Sequence, residues 1–302
     1  MFLERSEIMI NPSPLRYPGG KFKIYKYISK LVRQNNCSSY IEPFAGGSAI
    51  SLALLFNGIV NRVIINDYDY SIYCFWESIL NETEAFIKLI EDTPVTVEEW
   101  HNQKLIREKI YDHSPLKVGF STFFLNRVNR SGIIDKAGPI GGMSQLGNYP
   151  IDCRFNKEDL IKKIKKISKY RHAIRLFNQD AMDFIEYEII KTRNSFTFFD
   201  PPYYKKGRGL YTNFYTHGDH ENLAKTITQL MKNRKWIVTY DTANEIRELY
   251  SKFDQITFSL SYTLQEKKNM PEFMFFSKKI RRIQNENNSL NIQHTQNNNI
   301  EV

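Results

Sequence analysis

The stretch FTFFDPPYY, Phe196 to Tyr204, runs four apolar or β-branched residues into a carboxylate, two prolines and two tyrosines. Such a run suits a strand buried on both faces. Neither proline can extend it, because each lacks an N–H and has a fixed φ. In open α/β sheets, ligands bind at the carboxyl ends of the strands, so Asp200 and the loop after it lie where chemistry belongs. The carbonyls of Pro201 and Pro202 have no regular ladder commitment and stay available as acceptors. Asp200, a fixed backbone carbonyl and the ring of Tyr203 together suit a planar ligand with an exocyclic amine: two acceptors for its hydrogens and a face to stack on. The competing reading is a plain β-turn after a strand.

Outward from this stretch, other short apolar runs read as strands: Ser39–Phe44, Arg62–Asn66, Ile174–Asn178, Trp236–Asp241, Ile256–Leu264 and Glu272–Ser277. Helix-period segments separate most of them, at Lys21–Arg33, Ser48–Phe56, Met182–Ile190, His220–Met231 and Ala243–Tyr250. That alternation predicts a Rossmann-like, doubly wound, mostly parallel sheet. The last two runs are too close for a crossover helix and predict an antiparallel hairpin at the sheet edge. Between Tyr73 and Arg171 the alternation stops, giving way to helix-like segments, a Gly-rich loop and a basic helix. The expected organisation is therefore a discontinuous catalytic domain, residues 1–76 and 171–282, around an inserted, mainly helical block, 77–170. The Asn- and Gln-rich tail, 283–302, is expected to be disordered.

Composition narrows the class. The chain has 302 residues and a formal net charge of +9, with 14% aromatic residues, which suits a polyanionic partner such as nucleic acid. Compositional bias of the source is the alternative explanation. No apolar run reaches membrane-spanning length, and the charged N-terminus does not read as a signal peptide, so a cytoplasmic protein is expected. Cys37, Cys74 and Cys153 are far apart and include no CxxC pair, so neither a disulfide framework nor a metal site is expected.

Three further stretches carry chemistry. In YIEPFAGGSAI a strand ends on Glu42 and passes through Gly46 and Gly47 into a helix, where paired glycines let a backbone approach a ligand closely. The alternative is a tight strand–helix turn. In RVIINDYD, Asp67 ends the next strand about twenty positions on, where a carboxylate commonly holds ribose hydroxyls; a helix N-cap is the competing role. In PLRYPGGKFK, Tyr17 offers a ring face and Lys21 a cation at a glycine turn, a pattern that also fits an ordinary surface turn.

With LRYPGGK, IEPFAGGS, VIINDYD, FFLNRVNRSGI, NQDAMDFI, DPPYY and EFMFFS in this order, the chain resembles the Dam-like family of S-adenosylmethionine-dependent DNA adenine-N6 methyltransferases. The resemblance spans Pro14 to about Lys279. It implies a seven-stranded methyltransferase sheet carrying an inserted DNA-recognition domain, with S-adenosylmethionine as cofactor, no metal, and duplex DNA as partner. Matching positions then take roles. Tyr17, Lys21, Glu42, Phe44, Gly46, Asp67, Asp180 and Asp200 line the cofactor; Asp200, Pro201, Pro202 and Tyr203 carry catalysis on a flipped adenine. Asn126, Arg127, Asn129, Arg130, Ser131 and Lys205 contact DNA, the asparagines and arginines by base edges or phosphates. A monomer is expected, either solitary or paired with a restriction endonuclease that acts separately. Two departures stand out. Ser48 replaces a glycine of the usual glycine loop, and Asp135 stands where GATC-specific members place a guanine-reading arginine. The alternatives are a catalytically silent DNA-binding protein on this scaffold, and a methyltransferase for RNA or a protein amide.

Overall fold

Every apolar run becomes a strand: β1 (Ser39–Glu42), β2 (Arg62–Asn66), β3 (Ile174–Phe177), β4 (Ser195–Phe199), β5 (Lys235–Asp241), β6 (Asp254–Thr263) and β7 (Lys267–Phe276). The computed structural model describes residues 10–16, 20–205, 215–263, 267–283 and 292–293. Its helices are α1 (Tyr25–Gln34), α2 (Ala49–Phe56), α3 (Tyr70–Asn81), α4 (Thr83–Asp92), α5 (Val97–Glu108), α6 (Pro115–Val128) and α7 (Lys157–Lys169). They continue with α8 (Ala181–Phe184), α9 (His217–Leu230) and α10 (Asn244–Leu249). This is the expected α/β class. Pairing is parallel for β1 with β4, β2 with β3 and β4 with β5, and antiparallel where β6 and β7 join. One expected helix changes character, since α8 passes into a π-helical turn at Ile185–Ile189.

The chain divides into two compact units, Met1–Phe22 with Phe44–Ala181, and Lys23–Pro43 with Met182–Val302. In the first, β2 and β3 pair in parallel, Val63 opposite Ile174 through Asn66 opposite Phe177. Its helical part is organised by α6, which is buried nearly all round, as a helix at the centre of a bundle must be. Ser114 caps that helix by accepting from the Lys117 N–H, and Pro115 sits in its first turn, where no N–H is needed. Gly119 permits close packing on α3, because a Cβ there would lie 2.5 Å from the Cys74 carbonyl oxygen. Around that contact Phe75, Phe86, Phe123 and Phe155 interlock, with ring centroids 5.4 Å apart for Phe86–Phe123 and for Phe123–Phe155. Each buried phenylalanine contributes roughly 1.5–3 kcal/mol.

In the second unit the strand order is β1-β4-β5-β7-β6. β4 and β5 are parallel, and α9 lies between them in the chain, as a crossover requires. β7 inserts antiparallel between β5 and β6, so the expected antiparallel hairpin lies at the edge with its second strand innermost. Trp236, Tyr240, Tyr250 and Phe275 fill the core beside it. In the tail, for which disorder is expected, Ile292–Gln293 forms a two-residue strand, β8, against β6. An edge strand presents unpaired N–H and C=O groups, and a passing backbone of any sequence can satisfy them.

Candidate active site

In the first unit, chemistry gathers at the ends of β2 and β3. The side chain of Asn66 donates to the Gln179 carbonyl at 3.0 Å and accepts from the Gln179 N–H at 2.9 Å. This reciprocal pair locks the two strand ends together and brings Asp67 and Asp180 onto adjacent termini. Asn178 adds a bond from its amide to the Asp67 carbonyl, 2.7 Å. The N-cap of α3 is Asp69, which accepts from the Ser71 N–H and hydroxyl. Asp67 is thereby excluded from the capping role. Its carboxylate accepts instead from the Gly46 N–H at 2.7 Å and the Asp69 N–H at 3.0 Å.

Removal from water pushes the Asp67 carboxyl up to about 7, with the neighbouring Asp69 carboxylate adding to the rise and the two N–H donors opposing it. Gly46 adopts a left-handed φ of 44°, and its carbonyl is held by the Trp76 indole at 2.9 Å. Ser48 also takes a positive φ, 43°, while its N–H and hydroxyl both reach the Ala45 carbonyl. The serine therefore reproduces the backbone conformation that a glycine adopts most readily. Phe44 is half-buried and Lys21 is buried. Tyr17 lies outside the described residues.

In the second unit the exit of β4 is stapled to β5 and to the middle of β7. Thr239 donates its hydroxyl to Asp200 at 2.8 Å. Tyr203 donates to Glu272, which is buried on β7, at 2.6 Å. Asp241, at the end of β5, accepts from the N–H groups of Tyr204 and Lys205, both at 2.9 Å. The ammonium of Lys205 reaches the Thr242 carbonyl at 3.2 Å and the residue is exposed. Pro201 is buried and Pro202 half-buried. On the neighbouring strand, Tyr40 is fully buried; its hydroxyl is pushed well above its ordinary range by burial, then by the carboxylates of Glu42 and Asp200. Glu42 and Asp200 thus face the same buried phenol from adjacent strand ends.

One expectation is corrected here. Tyr203 was to present an open ring, but only 5% of it is exposed, so in this conformation it is a wall that anchors the loop to Glu272.

The inserted block corrects two more. Asn126 and Asn129 are fully buried, not turned outward to read bases. Asn126 accepts from the Arg16 N–H at 2.7 Å and donates to the carbonyls of Arg16 and Gly132. Asn129 accepts from the Trp100 indole at 2.6 Å and donates to the carbonyls of Ile133 and Ile134. Their amides brace the loops that flank them, a use that polar side chains at the end of a helix serve well.

Cations do reach the surface here. Arg16 donates to the carbonyls of Arg127 and Asn129, Arg127 to the Arg154 carbonyl, and Lys163 to the Ser13 carbonyl. Burial, then mutual repulsion, lowers Arg16 and Lys163 and brings Arg127 down to about 10. Among the described residues none of these three side chains forms an ion pair, which leaves a concentrated positive field. Arg130 is exposed, and Ser131 adopts a left-handed φ of 56°. Asp135 is held differently: Arg107 grips it through two bonds, 2.7 and 3.0 Å, and also lies 3.6 Å from Asp69.

Sequence reasoning missed Thr239, Asp241, Glu272 and Arg107. Two carried a readable signal, since Asp241 ends a strand as Asp200 does, and Glu272 is an acid inside an apolar run. Among the described residues no cluster of His, Cys, Asp or Glu could hold a metal ion, and no helix is long and apolar enough to cross a membrane.

Comparison with known proteins adds a separate finding. The family model described as D12 class N6 adenine-specific DNA methyltransferase matches residues 17–270. The chain is 26% identical over 206 residues to the type II methyltransferase M.MjaIII of Methanocaldococcus jannaschii, covering 63% of this chain and 68% of that protein. It is 23% identical over 203 residues to the modification methylase StsI of Streptococcus sanguinis, covering 63% of this chain and 28% of that longer protein.

Proposed function

The chain belongs to the D12 class N6 adenine-specific DNA methyltransferase family, and we propose that it methylates N6 of a flipped-out adenine at a specific duplex site, using S-adenosylmethionine. The donor set fits that cofactor. Lys21 supplies a cation for a carboxylate, Asp67 and Asp180 supply acids at adjacent strand ends for hydroxyls and an amine, and Gly46 is held in a conformation open to close approach. Phe44 completes the set in the first unit, and Glu42 is the second unit's residue for the same cofactor. When bound, S-adenosylmethionine supplies a methyl group made electrophilic by its sulfonium.

The remaining work falls to the residues of this chain. An exocyclic amine is a poor nucleophile because its lone pair is delocalised into the ring. Asp200 and the Pro201 carbonyl accept its two hydrogens, which favours a pyramidal nitrogen with its lone pair turned out of the ring. These bonds strengthen as the nitrogen gains positive charge, so they stabilise the transition state more than the ground state. Thr239 fixes the orientation of the Asp200 carboxylate, and Glu272 and Asp241 hold the loop against β7 and β5, limiting the misplacement that would cost rate.

Residues 77–170 act as the DNA-recognition block. Arg127, Arg130 and Ser131 are its contacts with the nucleic acid, and Lys205, at the end of the catalytic loop's described part, is a further contact of the second unit. The relatives' names, a type II methyltransferase and a modification methylase, support a role in modification alongside a separate restriction endonuclease. The chain acts as a monomer in the cytoplasm.

The observation that carries the proposal is Asp200, at the exit of β4, held by Thr239 within the intact sequence DPPYY. Incubation with labelled S-adenosylmethionine and duplex DNA, followed by nucleoside analysis, should yield N6-methyladenine. Asp200→Ala should still bind duplex and yield none. A variant with wild-type turnover removes Asp200 from the mechanism.

A further inference from the structure

The loop after Pro139 is built to hold a shape. Its base is tied to the end of α6: the Arg130 N–H donates to the Gly138 carbonyl at 3.1 Å, and the Ile140 N–H to the Val128 carbonyl at 2.9 Å. The ring then closes where the Gly147 N–H meets the Gly141 carbonyl at 3.1 Å. Gln145 fills the centre. Its amide donates to the carbonyls of Ile140 and Gly142, at 2.8 and 2.6 Å, and accepts from the Ile151 N–H at 2.9 Å. Gly141 has a left-handed φ of 82°, and a Cβ there would come 2.7 Å from the Tyr149 carbonyl oxygen, so glycine is required.

This rigid ring displays apolar side chains to water. Leu146 is 88% exposed, with Met143 at 51% and Tyr149 at 65%. Single exposed leucines are ordinary on protein surfaces. Three apolar residues at three-residue spacing, on a loop whose polar interior is fully bonded, are not explained by the packing of the fold. The surroundings suit a polyanion: no carboxylate occurs from Lys136 to Ile151. Exposed Asp152 follows the loop and is itself followed closely by Arg154, whose carbonyl is held by Arg127; the loop's base pairs with exposed Arg130.

We propose that Leu146 is the wedge that enters the base stack when the target adenine is extruded. The inference rests on the reading of this chain as a methyltransferase of duplex DNA, whose target amine is inaccessible until the base leaves the helix. Apolar side chains carried between base steps offset the cost of unstacking, a few kcal/mol per step. A flexible loop would lose that gain in ordering, and the Gln145 strut removes the loss. Leu146 acts as a positioning residue; it touches neither the cofactor nor the reacting amine.

The test uses the full chain and a duplex carrying its mapped target site. Leu146→Ala should lower kcat/KM on the fully paired duplex by roughly 10- to 100-fold, the rate equivalent of losing part of that offset. The same variant should return to within about threefold of wild type when the target adenine lies opposite an abasic site, where little stacking must be broken. With 2-aminopurine at the target, wild type should brighten the probe on binding, and Leu146→Ala should not. Leu146→Met should retain most of the wild-type rate. Wild-type behaviour of Leu146→Ala on paired duplex overturns the proposal, as does equal impairment on paired and abasic duplexes. A change in sedimentation with unchanged rates assigns the loop to a protein contact instead. Absence of methyl transfer to any DNA by the wild-type protein refutes the parent reading, and the wedge with it.

Discussion

Replacing Asn126 by alanine separates two incompatible roles for that residue. The sequence pattern FLNRVNRSG reads as a row of groups for base edges, whereas the structure makes Asn126 a buried brace between Arg16 and Gly132. The substitution removes three hydrogen bonds at once, and each intramolecular bond contributes about 0.5–1.5 kcal/mol net. The Gly132 carbonyl then loses a buried donor, and a buried unsatisfied group costs about 1–3 kcal/mol more. Arg16 is only half-buried, so water can replace part of what it loses. The expected loss is therefore about 2–4 kcal/mol of unfolding free energy. Urea titration followed by circular dichroism reads it directly, as a lower midpoint with an unchanged slope. DNA affinity should fall only as the folded fraction falls. A variant as stable as wild type that has lost sequence discrimination would refute the brace and restore the base-reading role.

Two other perturbations follow from the same geometry. Asp135→Asn removes one side of the Arg107 grip and leaves that guanidinium, only 8% exposed, with Asp69 at 3.6 Å. A loss of about 1–3 kcal/mol is expected, below the cost for a fully buried pair because Asp135 itself is 28% exposed; thermal melts of Asp135→Asn and Arg107→Met check it. Asp67 gives a pH signature. Its carboxyl is raised from 3.8 to about 7, so over that window the folded protein holds a proton that the unfolded chain releases. Its contribution to stability is greatest below the unfolded value, declines as pH rises through the window, and is level above it. Asp67→Asn should flatten that slope in urea titrations at stepped pH. Conversely, S-adenosylmethionine affinity in calorimetry should strengthen as pH rises through 7, because the ionised carboxylate is the better acceptor of ribose hydroxyls.

The strands were legible because burial on both faces leaves a short apolar run, and all seven runs became strands within a residue or two, apart from β7, which begins five residues early. DPPYY and the acid after β2 were legible for a related reason: a carboxylate at a strand exit is costly unless it has a use. Burial of polar side chains was not legible. Asn126 and Arg127 are neighbours in a polar motif, yet one is sealed inside with backbone partners and the other contributes to a cationic surface. That outcome depends on where the Arg16 backbone passes, a contact 110 residues distant in the chain. The Tyr203–Glu272 bond is hidden in the same way, because β7 must first insert beside β5. Asp135 looked like a substituted base reader, and only the position of Arg107 on α5 makes it half of an ion pair.

The measurement closest to the central claim is genome-wide mapping of N6-methyladenine in a methylation-free host expressing either the wild-type chain or Asp200→Ala. One short recognition sequence should appear, modified at a fixed adenine by the wild type and unmodified with the variant, while the purified variant remains folded and binds duplex. Modified adenines at equal density in both hosts, or modification of cytosine in place of adenine, would contradict it.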